Sequence, residues 1–574
     1  MSKKRNIGLI LIPLVLAIGI AGGVFIGKYL TVSRLSPAEA KLRTIVDLID
    51  NEYVDKIDVD SLLASIVPDL LAGLDPHSVY FSPEELKSTN EDMEGHFSGV
   101  GVSFQIVNDS VVVVDVIAGG PAEKVGLLNG DKIVSANDSV LTGKKATQDN
   151  VFKTLRGPKG TKVTLKVKRS NSQKLLDFDV VRDDIPVNSV DAVYVADVDN
   201  GIGYLKVSKF GRNTFEEFYM ALRQLEAQGA KSFVVDLRGN SGGFLDQVIL
   251  MANEFLPDDR IIVSTNGKLS DNRSVAMSDG NGHFQNYPIA VLIDEYSASA
   301  SEIFAGAIQD NDRGLVIGRR SFGKGLVQHQ IELPDSSAIR LTVARYYTPS
   351  GRCIQKPYER GEDGKYVMDI VDRFEHGEFY NADSIKLDKS KLFLTNGGRK
   401  VYGGGGIMPD IFVPEDTTGF SSYYVSVSNK GLITKYAFQV AEKYRSLTGN
   451  VKTIEELERV IPRDQTLLEG FVDFAAQNGV PARWYYINRS RGIILNLLKA
   501  QIARNVLGYN GLIQILNQED VTVKKALEML KEGKSAVSLV PPVDTGSDLE
   551  ISKFNLYKTH DNKELWRNLK YAER

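Results

Sequence analysis

The sequence predicts an α/β protein with a β-rich domain ahead of its alternating strands and helices, an N-terminal transmembrane helix and a C-terminal helical region. Three observations predict it. From Asn188 onward strand-like and helix-like stretches alternate, as helices packed on a largely parallel sheet require. Between Gly95 and Arg182 short β-rich runs dominate. From 421 to 536 the chain reads as amphipathic helices.

Composition bounds the function. The 574 residues suffice for roughly three or four domains. With 43% hydrophobic and 25% charged residues, the chain has apolar material for more than one core. A net charge of −4 gives no electrostatic footprint for nucleic acid. Six scattered histidines and one cysteine, Cys353, show no metal-ligand spacing, so neither metal nor cofactor is expected.

In chain order, residues 1–6 form a basic flank (Lys3, Lys4, Arg5), and 7–27 are an uncharged run of 21 residues. That length spans a bilayer, and the flank should stay in the cytoplasm. The expectation is an uncleaved single-pass anchor in the inner (cytoplasmic) membrane, with the rest of the chain on the periplasmic, extracytoplasmic side. A cleaved signal peptide is the competing reading, but the apolar run is long for a signal peptide's h-region and no convincing Ala-x-Ala site follows it. Residues 36–92 read as helices and then a loop around His77, whose turn setting favours a structural role. Residues 95–182 hold β runs separated by GGPAEKVGLLNGDKI and a short helical piece. Residues 188–415 hold the alternating pattern, within which 356–400 are charged and poorly periodic. The helical region covers 421–536, and 537–574 read as linker and polar tail.

The stretch Val291–Gln330 carries the chemistry. It runs strand, three serines spaced by alanines (Ser297, Ser299, Ser301), helix, strand, a Gly-Lys-Gly turn around Lys324, strand. Ser299-Ala300-Ser301-Glu302 also fits a helix capping box, and a lone lysine in a glycine turn is usually solvated. Beside Phe322 and Leu326, however, the lysine can be desolvated, which favours the neutral amine that a general base requires. A second string, Gly239–Gly243, satisfies G-x-S-x-G between a strand and a helix and offers Ser241 as a rival nucleophile.

The whole string SASASEI…FGKG…LVQ resembles the C-terminal processing peptidases, serine proteases with a Ser/Lys dyad. The resemblance covers roughly residues 36–415 and includes TPSGR-IQ at Thr348–Gln355 and YGGGGIMP at Tyr402–Pro409. It implies a crotonase- and ClpP-like protease core. Ser299 would be the nucleophile, Lys324, 25 residues on, the general base, and Gln328 its support. Backbone amides of Gly242 or Gly243 and of Ala300 would form the oxyanion hole. PAEKVGLLNGDKI resembles a PDZ domain, whose peptide-binding loop would be Gly99, Val100, Gly101 and Val102, continuing to Phe104. PDZ domains take an extended peptide as an added edge strand. The partners implied are proteins or peptides with free C-termini and the membrane; a homo-oligomer or an adaptor is left open. The readings from other classes are a catalytically silent PDZ scaffold or peptide-binding chaperone, and a hydrolase using Ser241.

Overall fold

The computed structural model describes residues 36–534 apart from 108, 118, 170 and 171. The expected anchor at 7–27 and the polar tail lie outside the described residues, among which no helix is long and apolar enough to cross a membrane. Two compact units divide the chain after Leu74.

The first unit holds helices α1 (Pro37–Glu52) and α2 (Val59–Ala72). Ser36 and Glu39 close a capping box at the start of α1, as Ser-Pro-Ala-Glu dictates.

The second unit begins with a strand where the sequence suggested a loop: β1 (Val79–Phe81), which helix α3 (Pro83–Met93) follows. Strand β2 (His96–Gly99) then enters the β-rich domain. That domain comprises β3 (Val102–Val107), β4 (Ser110–Val116), α4 (Pro121–Lys124), β5 (Lys132–Ala136), β6 (Ser139–Val140), α5 (Gln148–Leu155), β7 (Lys162–Lys168) and β8 (Leu176–Val181). The strand order β3-β4-β5-β7-β8 leaves β3 at an edge beside α5. The chain leaves through β9 (Asp183–Pro186), which pairs with β2, so a two-stranded ribbon joins this domain to the rest.

The α/β layer follows as β10 (Val190–Asp197), β11 (Ile202–Val207), α6 (Thr214–Ala227), β12 (Ser232–Asp236), α7 (Leu245–Asn253), β13 (Ile261–Gly267), β14 (Ser274–Met277), β15 (Ile289–Ile293), α8 (Ala300–Asp310), β16 (Leu315–Gly318), β17 (Leu326–Glu332) and β18 (Ala338–Tyr347). The main sheet runs β10-β11-β12-β15-β16-β21, with β21 at Ile411–Phe412. It is parallel throughout except for β10. A second, antiparallel sheet joins β1, β18, β13 and β14, with β17 on β18. The sequence did not suggest that split.

Within 356–400, read as poorly periodic, the structure has α9 (Asp363–Glu375), then β19 (Leu392–Leu394) and β20 (Lys400–Tyr402). The sequence does carry a helical spacing here, at Val367, Val371 and Phe374, and the helix lies with that stripe outward. Val367, Met368, Val371 and Phe374 face solvent, while Tyr366 and Arg373 are buried.

The C-terminal helices are α10 (Ser422–Asn429), α11 (Leu432–Lys443), α12 (Arg445–Thr448), α13 (Ile454–Val460), α14 (Asp464–Gln477), α15 (Trp484–Arg489), α16 (Arg491–Glu519, broken at Gly508) and α17 (Val521–Lys531). They are not a separate appendage. Residues alternate along the main sheet, so Leu205, Val235 and Val291 face α6–α8 while Tyr204, Val234, Leu292 and Ile317 face the other way. That second face is covered by Ile513, Val523, Ala526 and Met529 of α16 and α17.

Candidate active site

A cleft of about 650 Å³ brings Ser299, Ala300, Lys324, Gln328, Gly242 and Gly243 together, and Ser241 lies on its wall. The predicted PDZ loop residues lie elsewhere: Gly99 ends β2, Val100 and Gly101 link it to β3, and Val102 and Phe104 belong to β3.

The three serines of SASAS divide their work. Ser297 and Ser301 are fully buried and act as stitches: Ser297 Oγ donates to Leu237 O at 2.9 Å and Ser301 Oγ to Asn240 O at 2.9 Å. Ala298 N donates to Asn240 O at 3.0 Å. The loop after β12 is thus fastened to the loop after β15, and only the middle serine faces the cleft. Ser299 sits immediately before α8 with φ 55° and ψ −113°, a strained conformation for a residue with a Cβ. Neighbouring Gly242 must be glycine, since a Cβ there would lie 2.7 Å from Ser299 Cβ and 2.8 Å from Ala298 O. The Gly242 amide is occupied, donating to Asn240 Oδ1 at 2.8 Å. The Gly243 and Ala300 amides have no such partner among the described residues.

Lys324 Nζ donates to Gln328 Oε1 at 3.0 Å. Burial, with Arg340 nearby, brings the Lys324 pKa down to about 8, against the pull of Glu302 and Asp75. Gln328 Nε2 donates to the carbonyl of His77, so His77 stands behind the glutamine rather than in the cleft. Its ring is kept neutral, because burial and the nearby lysine bring its pKa down to about 4. The DPHS string is itself pinned. The buried Asp75 carboxylate accepts from His77 N at 2.9 Å, Ser78 Oγ at 2.6 Å and Thr342 Oγ1 at 3.0 Å, tying the segment to β18.

Sequence reasoning missed two residues. Glu302, read only as a capping partner, is fully buried and accepts from four donors: Ser299 N at 2.9 Å, Ser321 Oγ at 2.6 Å, Gly323 N at 2.7 Å and Lys324 N at 2.9 Å. Burial pushes its pKa up to about 7 while these bonds pull it down. The Tyr346 hydroxyl lies 3.1 Å from Ser299 O and 2.5 Å from Lys324 O. Glu302's signal was present as the Glu of SASAS-E; Tyr346 gave none, lying in an ordinary strand pattern.

Ser241 is exposed in a turn that precedes α7 by several residues, and no histidine lines the cleft among the described residues. His283 is paired with Glu226, and His376 Nδ1 lies 2.6 Å from Asp372 O.

In the β-rich domain, Val100 is buried in that domain's core, so only its main chain can meet a peptide. The Phe104 ring on β3 meets Phe152 on α5 at 5.4 Å, across the space between strand and helix.

The model of peptidase family S41 matches residues 201–361, that of the PDZ domain 98–180, and that of a family of unknown function 423–508. The chain is 32% identical over 357 residues to the carboxy-terminal processing protease CtpB of Bacillus subtilis, covering 62% of this chain and 73% of the relative. It is 38% identical over 320 residues to the carboxy-terminal-processing protease of Bartonella bacilliformis, covering 55% and 72%. A solved structure of a photosystem II D1 C-terminal processing protease is 27% identical, with a TM-score of 0.31, covering 56% of this chain and 91% of that one. The chain belongs to the carboxy-terminal processing proteases, PDZ-containing serine peptidases of family S41.

Proposed function

We propose that the protein is a membrane-anchored endopeptidase that cuts extracytoplasmic proteins selected by their C-termini, using a Ser299/Lys324 dyad. The observation that supports this most is the cleft, in which a strained Ser299, a desolvated Lys324 and a glycine turn share one surface. In this reading Ser299 Oγ attacks the scissile carbonyl while the neutral Lys324 amine takes its proton. The resulting ammonium returns the proton to the leaving amine. Gln328, held by the His77 carbonyl, keeps the amine aimed. The amides of Gly243 and Ala300 receive the oxyanion; Gly242 is less suited, since its amide is already committed to Asn240. The positive φ of Ser299 favours the role of nucleophile, because strain of that kind persists only where surrounding structure enforces it.

The peptide would add to the free edge of β3, as PDZ ligands do, with its carboxylate on the amides of the Gly99–Val102 loop. The apolar run at 7–27 would tether the enzyme to the inner membrane with a single span.

Cleavage of an unfolded model protein by the purified protein tests the reading. Ser299→Ala and Lys324→Ala should each abolish most turnover, with the double variant scarcely worse, because the pair acts as a unit. Lys324→Arg should be inactive too, since arginine does not release its proton. Turnover retained in Ser299→Ala but lost in Ser241→Ala would move the nucleophile to the turn. Peptide binding without turnover in the unaltered protein would leave a scaffold.

A further inference from the structure

The 356–400 insertion lines none of the cleft, yet it reaches the lysine from two directions. Arg373, buried near the end of α9, spreads its guanidinium over the main chain that leads into the lysine turn. Nη1 donates to Ser321 O at 3.1 Å, Nη2 to Arg320 O at 2.6 Å, and Nε to Glu378 Oε1 at 2.8 Å. Glu378 also takes Arg320 through both carboxylate oxygens, each at 2.7 Å. From the other side, the Tyr366 hydroxyl on α9 lies 2.9 Å from His77 Nε2. The His77 carbonyl accepts from Gln328, and Gln328 accepts from Lys324. Lys356 closes the gap, its Nζ 4.0 Å from the Phe322 ring centre and 4.1 Å from that of Tyr366.

This is an unusual way to dock a helix. The apolar stripe of α9 faces outward, and what holds its inner face is this polar network. Burying an arginine and a glutamate is costly unless every donor and acceptor is met, and a network so satisfied fixes geometry more than it adds stability.

We propose that Arg373 and Tyr366 are positioning residues for Lys324, one clamping the main chain ahead of the lysine and the other fixing the glutamine that receives it. The proposal rests on Lys324 being the general base. Neither residue touches substrate, so loosening either should lower kcat and leave KM alone. A reacting group misplaced by about 1 Å costs roughly 100-fold. Solvent admitted around a loosened lysine would relieve its desolvation and move the rising limb of the pH profile to higher pH.

The test uses the full-length protein on an unfolded model protein, with kcat, KM and the pH profile of kcat/KM measured for each variant. Tyr366→Phe removes one oxygen and keeps the ring on Phe322 and Lys356; it should lower kcat about 10-fold, leave KM unchanged and raise the rising limb. Arg373→Met should do the same more strongly, approaching about 100-fold. Val367→Ser, on the outer face of the same helix, should leave all three readings at wild type. A folded Tyr366→Phe with wild-type kcat and pH profile overturns the proposal, as does a change confined to KM. If Arg373→Met does not fold, Tyr366→Phe decides alone. Lys324→Ala run alongside separates the two ideas. Turnover retained there removes the dyad and this proposal with it. An inactive Lys324→Ala beside wild-type Tyr366→Phe and Arg373→Met removes only the positioning role.

Discussion

Glu302→Gln isolates the buried carboxylate beneath the cleft. The side chain keeps its shape, but only one of its two ends remains an acceptor, and four donors converge on it. The best placement keeps the oxygen on the Ser299 and Lys324 amides and turns the –NH₂ toward Ser321 and Gly323. The Ser321 hydroxyl can rotate to accept, but the Gly323 amide cannot. An unpaired amide in a buried site costs about 1–3 kcal/mol. The second effect is electrostatic. The Glu302 carboxylate raises the Lys324 pKa, against burial and Arg340, which lower it to about 8. Without that charge the amine should lose its proton at lower pH still. The assay is the pH profile of kcat/KM on an unfolded substrate, beside urea unfolding. The variant's rising limb should lie below that of the wild type, its peak rate should fall by up to about 100-fold as the Ser299 turn loosens, and its stability should drop by about 1–3 kcal/mol. A limb that stays in place or moves to higher pH, with the peak rate intact, would refute the reasoning.

The wild-type rate itself should rise with pH through about 8, because a folded-state pKa lowered from 10.5 puts the neutral amine within reach above that point; a profile flat from pH 6 to 9 would contradict it. Gly242→Ala places a Cβ 2.7 Å from Ser299 Cβ and 2.8 Å from Ala298 O, so turnover should fall by about 100-fold or more in a protein that still binds peptide. Phe438→Ala empties a buried contact between α11 and Val107 and Val112 of the PDZ domain; urea unfolding should show a loss of about 3–5 kcal/mol, with faster trypsin cleavage after Arg182, where the chain enters β9. Amidating the C-terminus of a substrate peptide should slow its cleavage, and equal rates for acid and amide would reject carboxylate capture.

The order of elements along the core was legible because strands such as Leu315–Gly318 are short apolar runs bounded by turns, and the structure has that strand at those residues. Part of the cleft was legible, since Ser299, Lys324 and Gln328 lie in two contiguous strings, SASASEI and FGKG-LVQ, and Gly242 and Gly243 in a third, RGNSGG, and the structure brings all three to one cleft. Contacts that span the chain were not. Nothing near Gln328 in sequence points to the His77 carbonyl 251 positions away, and a lone Tyr346 in a strand does not announce that its hydroxyl sits between two main-chain carbonyls. Helix α9 is a different case: Val367, Val371 and Phe374 are spaced as on one helix face, but the structure turns them outward and buries Tyr366 and Arg373, and periodicity does not say which face meets polar partners.

The helical region illustrates why a domain boundary drawn on composition differs from one drawn on packing. Its match to a family of unknown function ends at residue 508, the position at which Gly508 interrupts α16 with φ 73° and ψ −164°. The helices form their own core, which runs past the break to Leu512 and Ile515, and before the break they press Phe438 onto the PDZ domain. After it, Ile513, Val523, Ala526 and Met529 cover the second face of the main sheet, and Asp520 takes Arg238 Nη1 at 2.7 Å. Arg238 immediately precedes Gly239, the start of the turn that carries Gly242 and Gly243. One continuous helical segment therefore grips the PDZ domain at one end and the glycine turn at the other. A two-stranded ribbon alone would leave the PDZ domain free to swing, since two strands without a packed face are only marginally stable. The helices supply the missing face, and so set where the free edge of β3 stands relative to the cleft.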